Sequence, residues 1–427
     1  MMRTFELLES EVRIYSRSFP AIFTKATGSQ MIDTAGRKYI DFFAGAGAVS
    51  YGHNNPRMKR KLIEYLEGDG IVHGLDMATE AKERFLQRFN DVILKPRNLQ
   101  YKMQFTGPTG TNAVEAALKL ARKFTGRQTV VHFVNAFHGM SLGSLSVTGN
   151  GSKRAGAGVP LHYSLPMFFD GDLGPDFDTL ECFEALLKNP GSGVALPAAV
   201  IVETIQAEGG IKVASAEWLR RLEEITRRYN MLLIVDDIQV GCGRTGDFFS
   251  FEQAGISPDL VCLSKSVGGF GLPMSLLLIR PELDIWQPGE HTGTFRGNNL
   301  AFVAATEALT YWEDDTFSRA VYEKSQALRS MLERIAAKYP EARAHVRGRG
   351  LILGLAMEID GLVERVSQEA FERGLIIETC GPRDEVLKLI PALTISMAEI
   401  EQGVAIIEKS LEAALLDQTV TAHAAAG

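Results

Sequence analysis

The stretch Met231-Leu-Leu-Ile-Val-Asp236-Asp-Ile-Gln-Val-Gly-Cys-Gly-Arg-Thr-Gly246 joins a short apolar run to an acidic end and a glycine-rich turn. A run of five apolar residues bounded by polar and turn residues is typical of a buried strand. Other runs of this kind recur along the chain between longer amphipathic stretches. They are Tyr101–Phe105, Val130–Val134, Ala198–Glu203, Leu260–Ser264 and Ser275–Ile279. Alternation of strands with helices predicts an α/β fold, with a mostly parallel sheet covered by helices.

Several longer stretches repeat apolar residues with the period of a helix. The predicted helices are Ala113–Lys123, Ala216–Tyr229, Ala301–Trp312, Ser318–Tyr339 and Ala398–Leu415. The long pattern after Asn299 resembles a connector into a second unit, whose first strand region is predicted near Val346–Met357. The sequence contains neither an internal repeat nor a low-complexity linker, so we expect the parts to pack closely.

The composition excludes several classes of protein. The chain has 427 residues, 45% of them hydrophobic and 23% charged, which is typical of a globular protein and not of a disordered one. A net charge of −7 argues against nucleic acid as a partner. No apolar run approaches the roughly 20 residues that cross a bilayer, and the N-terminus lacks the apolar region of a secretory signal. We therefore expect small-molecule substrates and no membrane partner.

The cysteines do not form a recognisable metal or disulfide pattern. Cys182, Cys242, Cys262 and Cys380 lie far apart, without the paired spacing of a zinc site or a redox dithiol. We interpret them as reduced thiols of a cytoplasmic protein, and we predict no metal site.

Three strand ends place complementary chemistry at one edge of the predicted sheet. Asp236 ends one apolar run, and Lys265 ends another. Thr106–Thr111 is a glycine-containing loop that opens the first helix, where free backbone N–H groups can hold a phosphate. A desolvated lysine amine, an aspartate that holds a proton on a ring nitrogen and a phosphate loop are what pyridoxal phosphate requires. Taken singly, each has a structural alternative: a solvated cation, a turn cap and a tight turn.

The glycines of Gly241–Gly246 offer a different hypothesis, because they satisfy the GxGxxG pattern of dinucleotide-binding proteins. Four residues separate the apolar run from the first glycine, however, and the following Asp247–Glu252 has no helical period. A dehydrogenase that uses a nicotinamide cofactor is thus the weaker alternative.

Nearly the whole chain resembles the class III aminotransferases, which are pyridoxal phosphate enzymes of fold type I. The segments that carry the resemblance are Thr109–Arg122, Phe137–Gly139, Glu203–Gly210, Val235–Gly246, Leu263–Ser266 and Gly293–Asn298. Three further stretches resemble the ectoine-pathway branch of this class, the diaminobutyrate–2-oxoglutarate transaminases. They are Asp69–Met77, Thr106–Asn112 and Gly268–Met274.

The resemblance implies an aspartate-aminotransferase-like fold with a large, doubly wound, mostly parallel sheet domain and a smaller α+β domain built from both chain ends. The expected division assigns residues 1–58 to the N-terminal part of the small domain. Residues 59–318 form the large cofactor-binding domain, and residues 319–427 form the C-terminal part of the small domain.

The resemblance also implies roles for residues around pyridoxal 5′-phosphate. Lys265 would attach the cofactor covalently and then move the proton of the substrate carbon. Asp236 would keep the pyridine nitrogen protonated, and Gln239 would reach the ring hydroxyl. Phe137 would stack on the ring, with a core aromatic as the alternative reading. His138 is assigned a structural role.

At the phosphate end, the resemblance implies contacts from Gly110 and Thr111. Thr294 would complete the phosphate site of the neighbouring subunit. The active site would therefore depend on a dimer, with a tetramer as a further option.

Substrate binding is where the chain departs from the wider family. Glu208 would face the substrate carboxylate and pair with an arginine, but Lys388 occupies that arginine position and cannot form a bidentate fork. Met140 replaces an arginine that relatives acting on 4-aminobutyrate or ornithine carry. These departures favour transfer between L-glutamate and L-aspartate 4-semialdehyde in a ping-pong cycle, giving 2-oxoglutarate and L-2,4-diaminobutyrate. Another ω-amino acid transaminase and a catalytically silent binding protein are the alternatives.

Overall fold

The computed structural model describes residues 2–426 of the chain. Within that range the strands are β1 (Phe23–Thr27), β2 (Gln30–Asp33), β3 (Lys38–Asp41), β4 (Lys102–Phe105), β5 (Val130–Phe133), β6 (Ser164–Met167), β7 (Ala199–Val202), β8 (Ile205–Gln206), β9 (Lys212–Val213), β10 (Leu232–Asp236), β11 (Leu260–Leu263), β12 (Leu276–Ile279), β13 (Ala344–Arg349), β14 (Ile352–Met357), β15 (Leu375–Ile376), β16 (Glu378–Cys380) and β17 (Val386–Leu389).

The α-helices of the same range alternate with these strands. They are α1 (Arg3–Leu8), α2 (Tyr15–Ser18), α3 (Ala44–Gly47), α4 (Pro56–Glu67), α5 (Glu80–Phe89), α6 (Gly110–Thr125), α7 (Leu142–Ser146), α8 (Gly151–Ala155), α9 (Thr179–Lys188), α10 (Ala216–Arg228), α11 (Asn299–Ala308), α12 (Thr316–Lys338), α13 (Leu362–Glu372) and α14 (Met397–Ala426). None of them is long and apolar enough to cross a membrane.

The central sheet has seven strands in the order β4-β12-β11-β10-β7-β5-β6. All run parallel except β12, which is antiparallel to both of its neighbours. Alternate residues of β10 enter two different cores: Leu232 and Ile234 pack with α6, whereas Leu233 and Val235 pack with the core that includes α10. Burial on both faces explains the continuous apolar runs and confirms the predicted α/β class.

Two four-stranded sheets lie outside the central sheet, and one of them combines both ends of the chain. One sheet has the order β1-β2-β3-β15, in which β15 from the C-terminal half pairs in parallel with β3. The other, β13-β14-β17-β16, is antiparallel throughout. The predicted α+β part made from both chain ends is therefore present, while the exact boundaries at residues 58 and 318 stay a prediction.

Helix α6 begins at Gly110, three residues before the predicted start at Ala113. The side-chain oxygen of Asn112 accepts hydrogen bonds from the hydroxyl of Thr109 (2.8 Å) and from its backbone N–H (3.4 Å). This local cap adds a first turn that carries no apolar signal in the sequence. The helix therefore starts at the residues predicted to bind phosphate.

Candidate active site

A cleft of about 170 Å³ lies at the C-terminal edge of the central sheet. Seven of the residues predicted from sequence line it: Gly110, Thr111, Phe137, Glu208, Asp236, Gln239 and Lys265. Thr294 and Lys388, the two others, do not line it.

The parallel register of the central sheet brings the key acid and base together. Strands β10 and β11 are adjacent and parallel, and Asp236 lies opposite Cys262. Cys262 precedes Lys265 by three residues. Both strands end at the same edge, so Asp236 and Lys265 project into one space. The two strand ends that the sequence predicts at one edge of the sheet therefore do line one cleft.

Lys265 occupies a constrained position just after β11. Its φ angle is +50°, in the left-handed region that few residues other than glycine adopt. Next to it, the hydroxyl of Ser266 donates a hydrogen bond to the carbonyl of Gly47 (2.6 Å), which anchors the turn. Burial lowers the pKa of the Lys265 amine, against the opposing effect of the Glu208 carboxylate. A lowered pKa increases the neutral fraction, which is the form that accepts a proton.

Asp236 is held by a buried histidine. Its carboxylate lies 2.7 Å from Nδ1 of His138, and its other oxygen accepts a hydrogen bond from the backbone N–H of Ile238 (3.2 Å). Burial opposes protonation of His138, but the contact with Asp236 outweighs it and raises the pKa of the imidazole. The imidazole thus holds the Asp236 carboxylate in a fixed orientation at the cleft. The sequence alone predicts only a structural role for His138, although this residue lies in the Phe137–Gly139 segment.

A second carboxyl group missed by the sequence analysis lies beside this pair. Glu203 lines the cleft and accepts a hydrogen bond from the backbone N–H of Phe137 (3.0 Å). Burial raises the pKa of Glu203 to about 7. The sequence offers two signals for it: Glu203 ends the predicted strand Ala198–Glu203, and it begins the Glu203–Gly210 segment that carries the resemblance.

Gln239, for which the resemblance implies a contact with the ring hydroxyl, lines the cleft. The side-chain N–H of Gln239 donates to the carbonyl of Ala46 (3.0 Å), whereas its Oε1 is buried without a hydrogen-bond partner among the described residues. An unpaired buried acceptor fits a donor such as a ring hydroxyl. His138 Nε2 is likewise buried and unpaired within residues 2–426.

The opposite end of the cleft has the shape of an anion cradle. Gly110 and Thr111 form the first turn of the 16-residue helix α6, whose free N–H groups favour a phosphate. Gly139 faces this turn with φ +131°, and a Cβ there would lie 2.4 Å from Thr111 Oγ1. A phosphate cradle, a paired carboxylate for a ring nitrogen and a buried amine together fit pyridoxal phosphate.

Lys388 is fully buried behind the cleft, with a side-chain exposure of 0%. Its Nζ lies 2.6 Å from Glu208 Oε1 and 2.9 Å from Glu378 Oε1. Burial would raise the pKa of Glu208, but Lys388 lowers it to about 2, whereas burial raises the pKa of Glu378 to about 7. The structure thus pairs Glu208 with Lys388, the residue at the position where the resemblance implies an arginine. Lys388 reaches a substrate only if one of these carboxylates moves aside.

The glycine-rich loop Gly241–Gly246 has a structural use unrelated to dinucleotides. Only a three-residue 3-10 helix (Glu252–Ala254) follows within the next strand interval of the described chain, and Arg244 of the loop is buried. The guanidinium donates to the carbonyl of Leu351 (3.0 Å) and to the hydroxyl of Ser50 (2.8 Å). Because Ser50 also contacts Ser266 Oγ (2.5 Å), the loop connects the turn after Lys265 to both chain ends.

Fold and site together define a pyridoxal phosphate-dependent aminotransferase. The chain matches the family described as class-III aminotransferases over residues 13–411, and it belongs to that family. Members of the class use pyridoxal 5′-phosphate and exchange amino groups between amino acids and keto acids. These are therefore the cofactor and the substrate classes of this chain.

Similar proteins come from several bacteria and from solved structures. The chain is 59% identical to a diaminobutyrate–2-oxoglutarate transaminase of Halalkalibacterium halodurans, over 96% of each chain. It is 58% identical to one of Streptomyces anulatus, covering 94% of this chain and 96% of the relative. The ornithine aminotransferase of Toxoplasma gondii is 27% identical with a TM-score of 0.84, covering 98% of this chain and 95% of that one. Its structure was described with pyridoxal phosphate at partial occupancy.

Proposed function

We propose that this enzyme transfers an amino group between L-glutamate and L-aspartate 4-semialdehyde, giving 2-oxoglutarate and L-2,4-diaminobutyrate. The observation that supports it best is the 54–59% identity to several transaminases of that name, over nearly the full chain. The Glu208–Lys388 pair and the absence of an arginine at Met140 also separate this site from the pattern of ornithine and 4-aminobutyrate enzymes. Its place in ectoine-type biosynthesis stays a prediction of the resemblance.

The bound cofactor would supply an aldehyde carbon that takes up the amino group and a ring that accepts electrons. We propose that Lys265 carries the cofactor and that its Nζ, once free, takes the proton from the amine-bearing carbon of the substrate. Asp236, oriented by His138, would hold the proton on the ring nitrogen. Phe137 would cover one face of the ring, and Gln239 Oε1 would accept from the ring hydroxyl. Gly110 and Thr111 would hold the phosphate.

Glu208 and Lys388 would distinguish the two substrates. With diaminobutyrate, the reacting carbon C4 carries no carboxylate, so the Glu208–Lys388 pair remains closed. With glutamate, that carbon carries a carboxylate, which would replace Glu208 as the partner of Lys388. The short 2.6 Å contact thus supports a role as an exchangeable pair.

A donor and acceptor panel tests the substrate. Purified holoenzyme should convert 2,4-diaminobutyrate with 2-oxoglutarate faster than it converts ornithine, 4-aminobutyrate or N-acetylornithine. Lys265→Ala serves as the matched inactive control. Equal or faster reaction with ornithine would refute the assignment. A protein that binds the cofactor but transfers no amino group would be a silent relative.

We further propose a dimer in which Thr294 enters the partner's site. Thr294 is exposed and does not line the cleft of its own chain, and Phe295 beside it is 67% exposed. Other large apolar side chains exposed on this chain include Ile71, Val72, Leu75 and Met77. Thr294→Ala should weaken cofactor binding without changing the mass measured by light scattering, which should be that of a dimer or tetramer. A fully active monomer would contradict this proposal.

The four cysteines are free thiols in the structure. This supports the proposal of a cytoplasmic enzyme, because disulfides are rare in that compartment.

A further inference from the structure

A second cavity adjoins the cofactor cleft at Glu208. It holds about 530 Å³ and is bounded by Tyr15 from the N-terminal segment, by Lys153 and by Glu378. Glu208 lines both spaces, so they adjoin at this residue. A substrate whose amine reacts in the cleft can therefore extend its far end into this cavity.

The wall of this cavity carries one cation against several carboxylates. Lys153 is the one lysine or arginine lining it in the described part of the chain. The acidic residues on the wall are Glu208, Glu364, Glu378 and Asp384. Lys388 lies behind the wall and is already paired with two of them. A substrate carboxylate in this cavity would thus be repelled everywhere except near Lys153.

Lys153 is held in place by its backbone and by an aromatic ring. Its N–H donates to the side-chain oxygen of Asn150 (3.0 Å), which caps the short helix α8. Its Nζ lies 4.4 Å from the ring centroid of Phe137, within the range of a cation–π contact. Among the side chains that the structure describes, which end at residue 416, none forms an ion pair or a hydrogen bond with this ammonium. It is therefore available to a ligand next to the aromatic wall of the cofactor cleft.

The two proposed substrates share one feature that such a cation can recognise. In glutamate, the amine to be transferred is on C2, and the side-chain carboxylate is on C5, three bonds away. In 2,4-diaminobutyrate, the amine is on C4, and the carboxylate is on C1, also three bonds away. In ornithine the distance is four bonds. One fixed cation can thus hold the distal carboxylate, meaning the one three bonds from the reacting carbon, in both half-reactions.

We propose that Lys153 is the residue that binds the distal carboxylate of glutamate and of 2,4-diaminobutyrate. Lys153 supplies a positive charge that Met140 lacks, because methionine is apolar. The Met140 side chain is also 53% exposed. For 2,4-diaminobutyrate this assignment rests on the proposed function, whereas for glutamate it does not. Lys153 acts in specificity and takes no part in the chemical step.

Binding of glutarate to the holoenzyme tests this assignment without turnover. Glutarate has the carbon skeleton of glutamate but no amine, so calorimetry measures carboxylate recognition alone. Lys153→Met should raise its dissociation constant roughly 10- to 100-fold, as expected for loss of a charge-assisted hydrogen bond. Lys153→Arg should keep most of the affinity. Lys188→Met, which removes an exposed lysine from α9, should leave it unchanged.

Half-reaction kinetics provide the second readout. Lys153→Met should reduce kcat/KM for glutamate and for diaminobutyrate by similar factors. It should leave 1,3-diaminopropane, which is diaminobutyrate without its carboxylate, unchanged. An equal loss for all three amines, or unchanged glutarate binding, would overturn the proposal. If the wild-type enzyme uses glutamate but not diaminobutyrate, the proposed function fails, while glutarate and glutamate still decide the role of Lys153.

Discussion

Replacing Lys388 with methionine should destabilise the protein more at pH 8 than at pH 5.5. Methionine has a similar length and fills most of the same space, so the main change is the loss of a buried positive charge. Glu208 and Glu378 would then lie buried near each other without the cation that contacts both at 2.6 and 2.9 Å. Two uncompensated carboxylates repel each other and lose hydration.

The pKa values set the size of this effect. Lys388 holds the pKa of Glu208 at about 2, against an ordinary value of 4.5. Losing that difference costs about 3 kcal/mol, at roughly 1.4 kcal/mol for each pKa unit. Removing one partner of a buried ion pair typically costs about 3–5 kcal/mol. We therefore expect a loss of about 3–5 kcal/mol of unfolding free energy at pH 8.

The sign of the pH dependence follows from proton binding. In the wild type, the depressed pKa of Glu208 contributes stability that is present above pH 4.5 and is lost only as the pH falls toward 2. In Lys388→Met both folded-state carboxyl pKa values should lie above the unfolded value. The folded variant then binds extra protons on acidification, so its deficit should shrink between pH 8 and pH 5.5.

Thermal unfolding of the holoenzyme at the two pH values measures this difference. Lys388→Arg keeps the charge and serves as the control, with a much smaller deficit at pH 8. A deficit of equal size at pH 8 and pH 5.5 would refute the reasoning, because a packing defect does not titrate.

Three other substitutions test the rest of the site. Lys265→Ala should abolish transamination while leaving the thermal midpoint of the apoenzyme close to that of the wild-type apoenzyme, and normal turnover would contradict its role. Gly139→Ala should weaken binding of pyridoxal phosphate at least tenfold in a cofactor titration, because its Cβ would meet Thr111 Oγ1 at 2.4 Å and φ is +131°. Arg244→Met should lower the unfolding free energy by about 3 kcal/mol or more, since buried acceptors including Ser50 Oγ lose their donor. Unchanged urea stability would show that the loop does not need this contact.

Much of the fold could be predicted from the sequence. Strands such as β10 are continuous apolar runs, because both faces of the parallel sheet are buried. The errors lie at element ends, as at Gly110, where a side-chain cap and not an apolar period decides where α6 starts. Resemblance then supplied roles for Gln239 and Phe137 that strand patterns alone do not indicate. Both line the cleft, and their roles stay predictions until tested.

The sequence by itself determined the α/β class, the strand ends that carry Asp236 and Lys265, and the family. These depend on local period and on the rule that parallel strands end at one edge. Only the tertiary structure decided that His138 holds Asp236 across 98 residues and that Lys388 pairs with Glu208 across 180. Such contacts depend on how separate layers pack, and no local pattern records that packing. The same packing buries Arg244, which lies within the GxGxxG loop.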